Sequence, residues 1–201
     1  MAYPTVSAPY GFKPVNLIGG QVYAGSTRSL PISYGYNTNI FYGDFVQLTS
    51  GYVNILANTI AGNAAVGVFL GCSFTNPVTK QKTFSQYWPA GTLAGDAQAI
   101  ICDDPDTVFQ AVMCSSGTTV ASGGLALIGT NLSMIDNSTG NVNTGDSTNA
   151  VLAPTATPVT SILPVRCVGL ATDTAVTYSA VATSASSSTT INAVAPAALP
   201  V

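Results

Sequence analysis

Three carboxylates fall within four positions at Asp103-Asp104-Pro105-Asp106, the only acidic cluster in the chain. Such a cluster could hold Ca²⁺, because hard cations prefer oxygen ligands. The further ligands of a calcium loop and its bidentate Glu are missing, however, and the chain contains no Glu at all. Asp-Pro-Asp is equally the chemistry of a turn, in which Pro presets φ and Asp side chains bond the local backbone. The turn is the reading adopted. Nucleophilic catalysis has less to work with, since the chain has no His to serve as a base for Ser or to activate Cys. A Ser-Lys dyad would have to recruit Lys13, Lys80 or Lys82, and none of these sits in a suggestive motif. No pair of Asp residues stands out as an acid and base for glycoside hydrolysis. Gly19-Gly20 and Gly123-Gly124 are not followed by Gly-Lys-Ser/Thr and read as turns rather than phosphate loops. Catalytic, cofactor-binding and metal-binding residues are all expected to be none, and the protein is expected not to be an enzyme.

The cysteines are Cys72, Cys102, Cys114 and Cys167. Each lies in an apolar run (VFLGCSF, AIICDD, QAVMCSS, PVRCVGL), where a free thiol packs as a small hydrophobe. There is no CxxC pair and no export signal to favour disulfides, and the spacings match no zinc pattern. Buried, reduced thiols are expected.

Charge is the scarcest property of the sequence. Only 6% of the 201 residues are charged, where a soluble domain typically carries about a quarter. Charge keeps proteins soluble and apart, so a chain with 47% hydrophobic residues and so little of it is expected to give its surface to other subunits. The formal net charge is −3 and five cations are scattered along the chain, which argues against nucleic acid as a partner. Lys80 and Lys82 form the one local basic spot, read as a solvated turn or as a pairing site for an acidic surface. Gly and Pro interrupt every apolar stretch well short of a membrane span. The N-terminus shows no basic region followed by an apolar one, so no signal peptide is expected.

The elements that must carry this surface read as β-structure. Thr, Val, Ser, Tyr and Gly dominate, and no long 3.6-residue apolar period exists. In residues 40–115, Phe45–Thr49 and Tyr52–Leu56 flank a tight turn at Ser50-Gly51. Further strands are expected over 65–74, 83–88, 97–102 and 107–113, the last two paired through the Asp-Asp-Pro-Asp turn. Gly67 and Gly71 suggest close backbone approach or a bend. The spacing predicts an all-β protein with a small β-barrel or sandwich core and extended N- and C-terminal arms. The expected organisation is an extended N-terminal arm over 1–39, a β-barrel core over 40–115 and a polar insertion over 116–160. A closing strand of the core over 161–173 and a C-terminal arm over 174–201 complete it. The N-terminal arm is too apolar for a solvated tail; it lies on its own domain or crosses to a neighbouring subunit. Residues 138–149 read as a surface loop or small hairpin, with possible strands at 125–128 and 151–152.

The strings IFYGDFVQLTSGYV (40–53), AVGVFLG (65–71), PAGT (89–92) and AIICDDPDTVFQAV (99–112) resemble tailed-bacteriophage virion proteins. They are similar to the small β-barrel capsid decoration, or cement, proteins. SAPYGFKPVNLIGG (7–20) and ILPVRCVGL (162–170) resemble structural proteins of aquatic phages. The resemblance covers 40–115 best and implies a virion location, no catalytic residues and no cofactors. The function it implies is binding the outer capsid surface and bridging major capsid subunits to stabilise the shell. The expected partners are the major capsid protein and neighbouring copies of the same chain, as a dimer or trimer, with no nucleic acid and no membrane. Synthesis in the host cytoplasm would precede incorporation into the virion. The alternatives are a tail, baseplate or receptor-binding virion component and, on the nine Tyr and one Trp, a secreted carbohydrate-binding module. A major capsid subunit is disfavoured, because no long helix is visible.

Overall fold

The computed structural model describes residues 8–56, 65–121, 123–136, 139–154, 163, 165–171, 175–177, 187–188 and 190–194. In chain order the strands are β1 (Lys13–Leu17), β2 (Arg28–Pro31), β3 (Phe45–Thr49), β4 (Tyr52–Ile55), β5 (Gly67–Thr75), β6 (Lys82–Ser85), β7 (Gln98–Cys102) and β8 (Thr107–Ser116). They continue as β9 (Thr119–Val120), β10 (Asn131–Leu132), β11 (Met134–Ile135), β12 (Ala150–Leu152), β13 (Val165–Leu170), β14 (Ala175–Thr177), β15 (Ser187–Ser188) and β16 (Thr190–Val194). The fold is all-β, as expected. Among the described residues the only helical element is a 3₁₀ turn at Leu125–Leu127, and no closed barrel forms.

Two sheets carry the structure. The smaller runs β2-β7-β5-β3-β4, with β6 added beside β5. The larger runs β10-β13-β16-β8-β12-β11, with β1 and β9 also on β8. Phe45, Val68 and Cys102 from the small sheet meet Phe109, Ala111, Met113, Val151, Val165 and Cys167 from the large one in a shared core. A second core lies on the far face of the small sheet, where Val46, Phe69, Cys72, Phe74 and Ile101 pack under Ile40 and Trp88. Trp88 is fully buried, sits edge-on to Phe74 at 5.4 Å and donates its indole N–H to the Tyr36 carbonyl at 3.1 Å. A small third cluster of Val112, Cys114 and Ala150 lies apart from the shared core. Strand β8 thus contributes to two clusters, which is why its sequence reads as a nearly unbroken apolar run rather than an alternating one.

The β3–β4 hairpin closes as the sequence suggests. Thr49 pairs with Tyr52, and Ser50 (φ 52) and Gly51 (φ 83) both take the left-handed conformation that a two-residue hairpin turn needs. Gly67 is a point of close approach, since a Cβ there would stand 2.3 Å from the Cys102 carbonyl oxygen. A bulge between Phe69 and Gly71 then reverses the strand's parity, so that Phe69, Cys72 and Phe74 all enter the second core.

Two expectations are corrected. Strands β7 and β8 do not pair with each other: β7 lies between β2 and β5, and β8 belongs to the other sheet, so Asp103–Asp106 is a crossover between sheets. Both strands are apolar enough for a hairpin, but each finds its partners elsewhere in the chain. Leu125–Ile128 is not a strand. Gly124 opens a 3₁₀ turn there, with Leu127 N–H donating to the Gly124 carbonyl at 3.1 Å, so that Leu127 is buried while Leu125 is exposed.

The segment expected as an N-terminal arm contributes β1 to the large sheet and β2 to the small one, and Phe12 is fully buried in the shared core. Its residues 1–7 lie outside the described residues. Of the expected C-terminal arm only β14, β15 and β16 are described; β16 pairs with β8 along Val108–Val112 and with β13.

Candidate functional site

The charged groups singled out in the sequence do not converge on a common point. Asp104 accepts the Asp106 N–H on its own Oδ1 at 3.0 Å, while its carbonyl accepts the Thr107 N–H at 3.1 Å: a Pro-containing turn with the expected Asp cap. Asp103 instead ion-pairs with Arg28. Lys82 pairs with Asp96 at 3.0 Å, and Asp96 also accepts the Thr75 N–H and hydroxyl, which hold its carboxyl well below the usual range. Lys13 pairs with Asp146 and lies 3.8 Å over the Tyr42 ring. Burial lowers the Lys13 pKa, against the opposing pull of Asp146. Three of the five cations are therefore committed within the chain. Among the described residues no three His, Cys, Asp or Glu side chains are placed to hold a metal ion.

The thiols are all buried and free. Desolvation pushes Cys72 up to about 12 and raises Cys114 and Cys167, which leaves them poor nucleophiles at neutral pH.

Sequence reasoning missed the most constrained polar group. Asp44 is 2% exposed and receives three hydrogen bonds. The Phe41 N–H reaches Oδ2 at 2.7 Å, while the Ser147 hydroxyl and the Asn149 amide, at 2.8 Å, both reach Oδ1. Burial pushes its pKa up to about 6 against the opposing effect of the Ser147 and Phe41 bonds. Ser147 belongs to a small hairpin, which Asn149 follows, in which Gly140 pairs with Ser147 and the Asn141 N–H bonds the Asp146 carbonyl at 2.9 Å. Asp146 in turn pairs with Tyr42. The carboxylate thus fastens the polar insertion to the turn before β3. Gly11 and Gly43 let the N-terminal segment cross at the same place: a Cβ on Gly43 would stand 2.7 Å from the Phe12 nitrogen. Asp44 thus joins its own turn to one distant segment, through Phe41 on one side and Ser147 and Asn149 on the other.

The exterior offers apolar contact area. Large apolar side chains stand in solvent around β6, with Val78 86% and Phe84 77% exposed, and around the β3–β4 hairpin, with Tyr34 65% and Tyr52 45% exposed. Leu48 and Leu93 are further exposed apolar groups, Leu48 on β3 itself. A groove of about 540 Å³ beside β6 is lined by Tyr42, Leu70, Phe84, Gln86 and Ile100, and a cleft of about 450 Å³ lies beside the hairpin. Among the described residues neither lining contains a charged side chain. Such a surface can form broad contacts through shape and apolar area, with little electrostatic steering. Comparison with protein-family models, curated proteins and solved structures finds no match to this chain.

Proposed function

We propose that the protein is a structural virion component, a capsid decoration or cement protein that binds the outer shell and bridges major capsid subunits. The observation that carries this reading is the charge-poor exterior, on which large apolar side chains stand exposed while three of the five cations are spent on internal ion pairs. An isolated soluble protein gains little from such a surface; a subunit in a lattice covers it. The resemblance of residues 40–115 to decoration proteins points the same way. In this reading the mechanism is mass action: a subunit that binds only the assembled lattice stabilises it by the free energy of binding, and many modest contacts act together. Partners are the major capsid protein and neighbouring copies of this chain, and the location is the capsid surface after synthesis in the host cytoplasm.

The test is stoichiometry in purified particles, by gel densitometry against the major capsid band. A copy number on the scale of the capsomers supports the shell role. A copy number matching a single tail tip or baseplate overturns it in favour of a tail component.

A further inference from the structure

The cleft beside the β3–β4 hairpin has a composition that a plain subunit contact does not require. It is built where the end of β2 runs alongside β4, with Ile32 paired in parallel with Val53 and its N–H donating to the Ala97 carbonyl at 3.1 Å. The left-handed pair Ser50-Gly51 and Gly95 are among the residues that line it. Tyr34 and Tyr52 line the opening, both substantially exposed. Neither ring hydroxyl, nor the Ser50 hydroxyl or the Gln98 side-chain amide, makes a hydrogen bond among the described residues. The one carboxylate close in sequence, Asp96, is occupied by Thr75 and Lys82.

The chemistry of the walls narrows the ligand. With no cation in the lining there is nothing to hold a phosphate or carboxylate, and with no carboxylate there is nothing to hold a metal ion or an amine. A purely apolar ligand would leave two phenols, a hydroxyl and an amide desolvated and unpaired, which is costly. The matching ligand is uncharged, has a flat face of C–H groups to lie against an aromatic ring, and carries hydroxyls around its edge. That is a neutral sugar. Tyr supplies such contacts at low entropic cost, because its ring is large and has few rotatable bonds. A volume of about 450 Å³ lies within the roughly 300–1,000 Å³ of small-molecule sites.

We propose that the cleft between Tyr34 and Tyr52 binds a neutral saccharide through ring stacking and hydrogen bonds from Ser50 and Gln98. With the β6 region as the face turned to the shell and this cleft turned outward, a weak site of this kind displayed in many copies would tether the particle to a polysaccharide surface through avidity.

The experiment uses the isolated full-length protein, so its outcome does not depend on the capsid reading. Maltohexaose, cellohexaose and laminarihexaose are titrated separately while saturation-transfer NMR is recorded, with oligogalacturonate as the anionic comparison. At least one neutral oligosaccharide should give a saturable signal and oligogalacturonate none. Tyr34→Ala and Tyr52→Ala should each weaken that binding about tenfold, which corresponds to about 1.4 kcal/mol. Both side chains are exposed, so the thermal melts should stay close to the parent's. Tyr34→Phe, which keeps the ring, should retain most of the affinity, and Phe84→Ala in the other groove should leave it unchanged. The proposal is overturned if none of the three sugars gives a saturable signal up to its solubility limit. It is equally overturned if only the anionic oligomer binds, or if the two Ala variants bind as well as the parent.

Discussion

Gly43→Ala should destabilise the protein far more than Gly51→Ala, although both glycines sit at positive φ (93° and 83°). The shared conformational penalty for a side chain there is roughly 1–2 kcal/mol. Gly51 carries that penalty alone, because a Cβ at this hairpin turn meets nothing within 4 Å. At Gly43 the new methyl would lie 2.7 Å from the Phe12 nitrogen and 3.0 Å from the Gly11 Cα. Both are backbone atoms that cannot swing aside. Relieving the overlap means moving the N-terminal segment outward, which stretches the Phe12 N–H bond to the Gly43 carbonyl from its 3.1 Å. It also draws Phe12 away from its edge-on contact with Phe45 at 4.6 Å. Losing a buried Phe altogether costs about 3–5 kcal/mol, so a partial withdrawal added to the backbone penalty comes to about 3–5 kcal/mol. For a chain of this size each kcal/mol lowers the melting temperature by roughly 2–4 °C, which puts Gly43→Ala about 6–20 °C below the parent and Gly51→Ala about 2–8 °C below. Differential scanning fluorimetry of the two variants checks the contrast. Combining Gly43→Ala with Phe12→Ala should be less than additive, since the Phe12 contact can be lost only once. Equal, small losses for the two glycine variants would show that the N-terminal crossing does not hold Phe12 in place.

Asp44 makes a pH prediction. Its folded pKa, about 6, lies above the ordinary 3.8, so the folded state binds more protons than the unfolded one in between. Its contribution to stability is then greatest below about pH 4 and falls as pH rises towards 6, by on the order of 3 kcal/mol. Urea titrations of the parent and Asp44→Asn at pH 4 and pH 7 isolate the effect, because the difference between the two proteins should change across that window; a constant difference refutes it. Native protein should be nearly silent to Ellman's reagent, and denaturation without reductant should release all four thiols; recovery of two or fewer would mean that disulfides form. Val78→Ser with Phe84→Ser should leave the melting temperature within a few degrees, since both side chains are largely solvated, while lowering retention on particles in a co-sedimentation assay; unchanged retention would remove the β6 region from the interface.

The parts of the fold legible in the sequence are those in which neighbours in the chain are also neighbours in space. The β3–β4 hairpin is local: alternation on either side of Ser50-Gly51 is enough to read both strands and their turn. The Asp-Pro-Asp turn is local too, but what it connects is not, and strand composition alone does not say which sheet a strand joins. Phe12 reads as part of a Pro- and Gly-rich arm because its partners Phe45 and Phe109 lie far along the chain. The Asp44 clasp is harder still, with partners 103 and 105 residues away. Its one available signal is a lone carboxylate inside the apolar string Phe41-Tyr42-Gly43-Asp44-Phe45-Val46, a place where a charge must find bonds if it is buried. Tyr34 and Tyr52 become a pair only because Ile32 runs beside Val53, a contact that no periodicity announces.

The pairing of β8 has a mechanical consequence. Lys13 through Leu17 run against Gln110 back to Thr107 on one edge of β8, and Thr190 through Val194 run against Val112 back to Val108 on the other. Both outer strands therefore point the same way, with Lys13 beside Gln110 where the chain enters β1 and Val194 beside Val108 at the end of β16. Opposed pulls directed along the strands on residues 13 and 194 drag the two outer strands in opposite directions along the central one. The hydrogen bonds of both ladders are then loaded together in shear, and they cannot be unzipped one at a time from a free end. Pulled in this direction the large sheet yields only when a whole row of bonds fails at once, which makes it a tensile link along its strands.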